Sequence, residues 1–301
     1  MTGCKLSSCR QRYIQKIKAS ALLKCCGLSK DFSLEIIKRI DLVLNNRSAL
    51  EAIMLPLSLS AESNNLQKPE IIQSAEANMW GWIHWTILDS ITDKKHITLG
   101  NLLIQQFSKS IFDNIYYNIF LKKGYLNLYK ETNNKIYNAI RIENKSYFTS
   151  KNNHIVVSKN NLRRDKIQYK VLRNKSLMYM FTLIIVSKKH RLNLKRFIES
   201  FISAKQLSDD SCDWKEDLFE KRKTIVTSSI LLKYAQMYHK TKKIDVKQSI
   251  GKLNHIFSRY TTHEMRVLIN KYLNTSRVFL NKIPSLSKNY ELVNMINRYV
   301  P

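Results

Sequence analysis

The chain has 301 residues, and 51 Lys and Arg against 23 Asp and Glu leave it a formal charge of +28. Only 6 Gly and 4 Pro accompany 44% hydrophobic residues, which excludes sandwiches, β-barrels and wound α/β sheets, folds that place Gly and Pro at their turns. No two glycines stand close enough for a P-loop, a dinucleotide fingerprint or a nucleophile elbow, so a phosphate has to be gripped by side chains or metal.

Taken in chain order, residues 1–30 are basic and weakly patterned and read as a short helix with a frayed start. Its apolar stretch ASALL is cut by Lys24, unlike a signal peptide. From Asp31 the apolar positions Phe32, Leu34, Ile36, Ile37, Ile40, Leu42 and Val43 predict an amphipathic helix capped by Ser33 or Asp31. Residues 61–69 (AESNNLQKP) are a connector, followed by a long helix over 70–93. Residues 100–128 alternate apolar and polar pairs at helical spacing. Over 130–161 the pattern fades into a polar, Asn- and Lys-rich stretch with one β-like run, HIVV, and this reads as a flexible insertion. Residues 163–187, 193–217, 224–240 and three further segments are again helical. No internal repeat is visible. The expectation is an all-α protein, one domain over 1–301 of roughly ten helices.

The basic excess suits nucleic acid, an acidic membrane face or a phosphorylated small molecule. Scattered lysines beside abundant Asn and Ile also fit AT-rich codon usage. Five Cys, at 4, 9, 25, 26 and 212, form neither an even disulfide set nor paired CxxC ligands, which points to a reduced cytosol. The longest apolar run, 176–186, is about half of the roughly 20 residues a membrane span needs. The seven His, His84 and His96 among them, have no zinc-ligand spacing.

In so basic a chain the acids that gather are the informative residues. Asp209, Asp213, Glu216 and Asp217 fall at i, i+4, i+7 and i+8, on one helical face, with Asp210 beside them. Like charges stacked this way call for offsetting cations or a divalent metal. A second pair, Asp89 and Asp93, lies at i, i+4, just past Trp80, Trp82 and Trp85. Either cluster alone reads as a solvated helix face. Together, each ending an apolar helix, they suit a hard cation such as Mg²⁺ held across a cavity.

The segment AKQLSDDSCDWKEDLFEKRKT (204–224) resembles the second aspartate-rich region of the trans-prenyltransferases, the polyprenyl diphosphate synthases of the class I isoprenoid synthase fold. Gln206, Asp209, Asp210, Asp213, Asp217 and Thr224 fall in the register of that pattern, with Lys221 at its Gly and Arg222 at its Lys. Asp89 to Asp93 (DSITD) resembles the first DDxxD motif, with Ser90 for its second acid and Lys94 and Lys95 where the family has two arginines. Lys175 and Ser176 resemble the Lys-Thr pair that opens the helix between the motifs. The N-terminal Gly-Lys-Arg segment has no match here.

The resemblance implies a single large helical bundle with a central cavity. In it Asp89, Asp93, Asp209, Asp210 and Asp213 hold Mg²⁺ around a prenyl diphosphate, and Lys175, Gln206 and Arg222 contact the diphosphate. Trp82, Trp85 and Tyr179 either line the prenyl tail or pack as ordinary core. The implied reaction is ionisation of an allylic diphosphate and its condensation with isopentenyl diphosphate. Three alternatives stand beside it: a head-to-head synthase of the squalene or phytoene type, whose DxxxD motif Asp89 to Asp93 also matches; a non-catalytic relative; and a basic nucleic-acid-binding protein using RRDK (163–166), KKHR (188–191) and KRK (221–223). The expected setting is cytoplasmic, with prenyl diphosphate substrates, a homodimer, peripheral contact between the basic surface and a membrane, and no nucleic-acid partner.

Overall fold

The computed structural model describes residues 2–60, 67–92, 98–143, 146–151, 154–156, 175–238 and 243–299. They form α1 (Thr2–Lys24), α2 (Lys30–Asn45), α3 (Arg47–Ser58), α4 (Lys68–Thr92), α5 (Leu99–Lys122), α6 (Leu126–Glu143), a 3-10 helix (Lys175–Ile184), α7 (Arg191–Phe219), α8 (Ile225–Tyr238), α9 (Val246–Ile256), a π-helical turn (Phe257–Thr261), α10 (Thr262–Asn281), α11 (Pro284–Ser287) and α12 (Tyr290–Asn297). Strands β1 (Ser150–Lys151), β2 (His154–Val156) and β3 (Lys243–Ile244) pair antiparallel in that order, with Ile155 opposite both Ser150 and Ile244. The all-α class expected from the composition is the one observed.

The helix expected over 100–128 is two helices. Gly124, at φ 72°, ends α5: its N–H donates to Leu121 O at 3.1 Å and the Tyr125 N–H to Phe120 O at 2.8 Å, the paired bonds of a Schellman cap. Within the expected insertion, α6 runs on to Glu143, because Tyr129, Thr132, Ile136 and Ala139 give it a buried stripe at helical spacing. The HIVV run supplies β2; residues 144, 145, 152, 153 and 157–161 lie outside the described residues. So do 163–174 of the next expected helix, and Lys175–Ile184 form a 3-10 helix.

The chain divides into two compact units, Met1–Thr132 with Met178–Arg191, and Asn133–Leu177 with Leu192–Pro301. In the first, α4 packs most extensively on α5 and α3. Gly81 makes the α4–α5 approach possible, since a Cβ there would stand 2.8 Å from the Phe112 ring. Phe181 belongs to this unit through its ring, which stacks on Tyr116 at 5.0 Å and meets Phe112 at 5.2 Å and Tyr129 at 5.5 Å. A buried acid pins α1: Glu76, 1% exposed, accepts from Lys24 Nζ at 2.5 Å, Ser20 Oγ at 2.8 Å and Trp80 Nε1 at 3.2 Å. In the second unit α7 buries Leu194, Phe197, Ile198, Phe201, Ala204, Leu207, Trp214 and Leu218. Trp214 stacks on Phe257 of the π-helical turn, with centroids 4.9 Å apart.

Candidate functional site

The acids of α7 occupy the face its core residues leave outward. Asp209, Asp213 and Glu216 are exposed and Asp210 is half-buried, while Leu207, Trp214 and Leu218 turn inward. One turn before Asp210, Gln206 Nε2 donates to its Oδ1 at 2.7 Å, which fixes that carboxylate's orientation along the helix. Asp217 sits at the margin of the face and is buried, 8% exposed. Burial pushes its carboxyl up to about 6; the Arg222 guanidinium works against the rise, and Asp213, Glu220 and Glu216 add to it.

The end of α7 is a second Schellman cap, with Lys221 in the place that Gly124 fills after α5. The Lys221 N–H donates to Leu218 O at 3.1 Å and the Arg222 N–H to Asp217 O at 2.7 Å. Lys221, at φ 61°, is the one non-glycine residue with positive φ among the described residues. It stands where the resemblance puts a glycine, the residue that adopts this left-handed conformation most freely. The turn is stitched down by a bridge between Tyr147 and Arg222, with Phe148 N donating to Lys221 O at 2.8 Å and Lys223 N to Ser146 O at 2.9 Å. Arg222 Nε pairs with Glu220 Oε2 at 2.7 Å. Thr224 precedes α8 and shares reciprocal bonds with Thr227: Thr227 Oγ1 accepts from the Thr224 N–H at 2.9 Å and Thr224 Oγ1 from the Thr227 N–H at 3.2 Å, a capping-box arrangement.

Solved structures match nearly the whole chain. Heptaprenyl diphosphate synthase from Staphylococcus aureus is similar at a TM-score of 0.74 with 13% identity, over 96% of this chain and 98% of that one. Geranylgeranyl pyrophosphate synthase from Lactobacillus brevis gives 0.72 and 13% over 95% and 96%, and farnesyl diphosphate synthase from T. brucei 0.63 and 11% over 97% and 99%. The fold is that of the trans-prenyl diphosphate synthases. No protein-family model and no curated protein matches the sequence.

On this synthase fold the residues singled out from sequence distribute unevenly. Gln206, Asp209, Asp210, Asp213 and Arg222 come together on α7 and the turn that ends it. Asp89 belongs to the first unit, exposed in the last turn of α4, where Ser90 Oγ donates back to Thr86 O at 3.0 Å. Asp93, Lys94 and Lys95 lie outside the described residues. Lys175 opens the 3-10 helix, and its side chain lies outside them too. Trp80 and Tyr179 are buried, Trp82 and Trp85 half-buried.

Among the described residues no three His, Cys, Asp or Glu side chains gather as a metal-binding group. The α7 face still fits Mg²⁺ in kind. It offers hard carboxylate oxygens at i, i+1 and i+4, the first and last of them exposed to solvent, and Mg²⁺ needs only one or two of them when waters and substrate phosphates complete its shell. Sequence reasoning did not foresee the Glu220 partner of Arg222 or the burial of Asp217. The first depends on how the chain turns at Lys221; the second was signalled only by the apolar Trp214 and Leu218 around Asp217.

Proposed function

We propose that the chain is a Mg²⁺-dependent prenyltransferase that ionises an allylic prenyl diphosphate and condenses it with isopentenyl diphosphate, releasing a longer polyprenyl diphosphate and pyrophosphate. The observation that carries the reading is the α7 face of Asp209, Asp210 and Asp213, with Gln206 holding Asp210, on a prenyl diphosphate synthase fold. Bound Mg²⁺ would supply the charge that lets pyrophosphate depart. In this reading Asp209, Asp210 and Asp213 hold the metal from α7; Asp89 and Asp93 are metal ligands by the resemblance alone. Arg222 and Lys175 bind phosphate oxygens; Arg222 adds the diphosphate to its pairing with Glu220 or exchanges one for the other.

The same reading carries a homodimer and a cytoplasmic protein that touches the membrane peripherally. The outer face of α5 supports the dimer. Leu99, Leu103, Tyr117 and Leu121 are exposed on it, and the exposed positions between them, Gln106, Ser110 and Asn114, carry no charge. A chain of charge +28 repels its own copy, so an uncharged face is where a second copy meets least opposition. No helix of the described residues is long and apolar enough to cross a membrane.

The test is turnover of geranyl or farnesyl diphosphate with Mg²⁺, with and without isopentenyl diphosphate, with products resolved by chain length. Elongated products and released pyrophosphate are expected only with Mg²⁺, and Asp209→Ala or Asp213→Ala should cut turnover by roughly 100-fold or more while helicity is retained. Unchanged turnover in both variants would sink the assignment of the α7 face.

A further inference from the structure

Where α4 meets α5, three buried polar atoms have no hydrogen-bond partner among the described residues: Nε2 of His84, Nε1 of Trp85 and Oγ of Ser108. Two stand on consecutive residues of α4, and the third is on α5. The helices run antiparallel, as the pairs Tyr116 with Ser74, Phe112 with Gly81 and Gln105 with His84 show. Ser108, fully buried, lies on α5 between Phe112 and Gln105, level with the turn of α4 that carries His84. The Trp85 ring stands edge-on to the His84 ring, centroids 4.5 Å apart. Buried polar atoms are almost always paired, so three on these two packed helices ask what pairs them.

Their chemistry narrows the answer. His84 Nδ1 lies 3.3 Å from Gln105 O. A carbonyl only accepts, so Nδ1 carries the proton and Nε2 presents a lone pair. The ring is neutral at pH 7, since burial holds its pKa down to about 4, with the nearby Lys109 ammonium lowering it and the Gln105 carbonyl and Asp113 raising it. Trp85 Nε1 can only donate, and Ser108 Oγ can do either. An anion would meet the His84 lone pair. A metal ion there would meet the Trp85 N–H and the field of Lys109. An O–H group donates and accepts at once and suits all three.

We propose that α4 and α5 enclose a binding site for one hydroxyl group, which donates to His84 Nε2, accepts from Trp85 Nε1 and completes its bonding on Ser108 Oγ. A water and the hydroxyl of a small alcohol have this chemistry in common. The site stands on the α4–α5 contact alone and is independent of the prenyl-transfer reading.

The experiment is NMR on the full chain labelled with ¹⁵N at Trp and His, the Trp85 indole signal being identified by its loss in Trp85→Phe. One arm measures magnetisation transfer from water to that indole; the other titrates methanol, ethanol and isopropanol. A water cross-peak that alcohols leave unchanged supports the site with water as occupant. Saturable alcohol shifts of the Trp85 and His84 signals, lost in Ser108→Ala, support it with an alcohol hydroxyl as occupant. A wild-type protein showing neither water transfer nor an alcohol shift overturns the proposal, as does a His84 carrying its proton on Nε2. The wild-type spectra decide these points even if Ser108→Ala fails to fold.

Discussion

His84 gives the fold a calculable weakness to acid. Its side chain is 3% exposed, and burial lowers its pKa from 6.5 to about 4. The unfolded chain takes up a proton at this residue as pH falls through 6.5, whereas the folded chain refuses it until about 4, so stability present above pH 6.5 is lost across that window. A gap of about 2.5 pH units at 1.36 kcal/mol each amounts to about 3 kcal/mol. The perturbation is His84→Asn, which keeps a donor for Gln105 O and removes the titration. Lost ring packing costs the variant about 2–4 kcal/mol at every pH, an offset that does not bear on the test. Urea denaturation followed by helical circular dichroism at pH 4, 5, 6 and 7 gives both stability curves. Carboxylates titrate in both proteins and cancel in the difference. The gap between wild type and variant should shrink by about 3 kcal/mol from pH 7 to pH 4. A gap constant over that range would refute the account of His84 as a ring held neutral by burial.

Two further outcomes follow from the helices. Lys221→Gly should stabilise the protein by about 1 kcal/mol, because a side chain at φ 61° carries a left-handed penalty that glycine escapes; a lowered melting temperature would show that the Lys221 side chain contributes more than its backbone costs. Leu103→Lys and Leu121→Lys place charges on the uncharged α5 face and should turn a sedimenting dimer into a monomer, while unchanged sedimentation of both would remove that face from the interface.

The acids of α7 were legible in sequence because a helix converts spacing into direction, so i, i+4 and i+7 name a face before any coordinates exist. Asp217 shares that spacing and is nevertheless buried, because it stands at the margin between the acidic face and Trp214 and Leu218. Periodicity gives the angle of a residue but not where a neighbouring element covers the helix. The polar stretch after Lys130 hid α6 for a related reason. Its Asn and Lys lie outward and dilute the pattern, while Tyr129, Thr132, Ile136 and Ala139 carry the burial. The division after Lys122 turned on Gly124, whose positive φ closes α5; a pattern that runs across a glycine does not reveal whether the helix continues through it or caps there.

An identity of 13% is compatible with a shared fold over 95% of the chain, since a helical core asks for apolar volume at the right period and accepts many residues that supply it. The turn after α7 asks for more. It needs one residue with positive φ, which glycine adopts freely and lysine adopts at a cost. Lys221 nevertheless takes φ 61°, held by two capping bonds below it and by the Tyr147–Arg222 bridge beside it. Were the turn free to relax, a lysine would draw it toward negative φ and carry Arg222 away from Asp217 and Glu220. That it stays shows the backbone here to be determined by the elements around it, so the position of Arg222 at the end of the acidic face follows from the fold rather than from the residue at the turn.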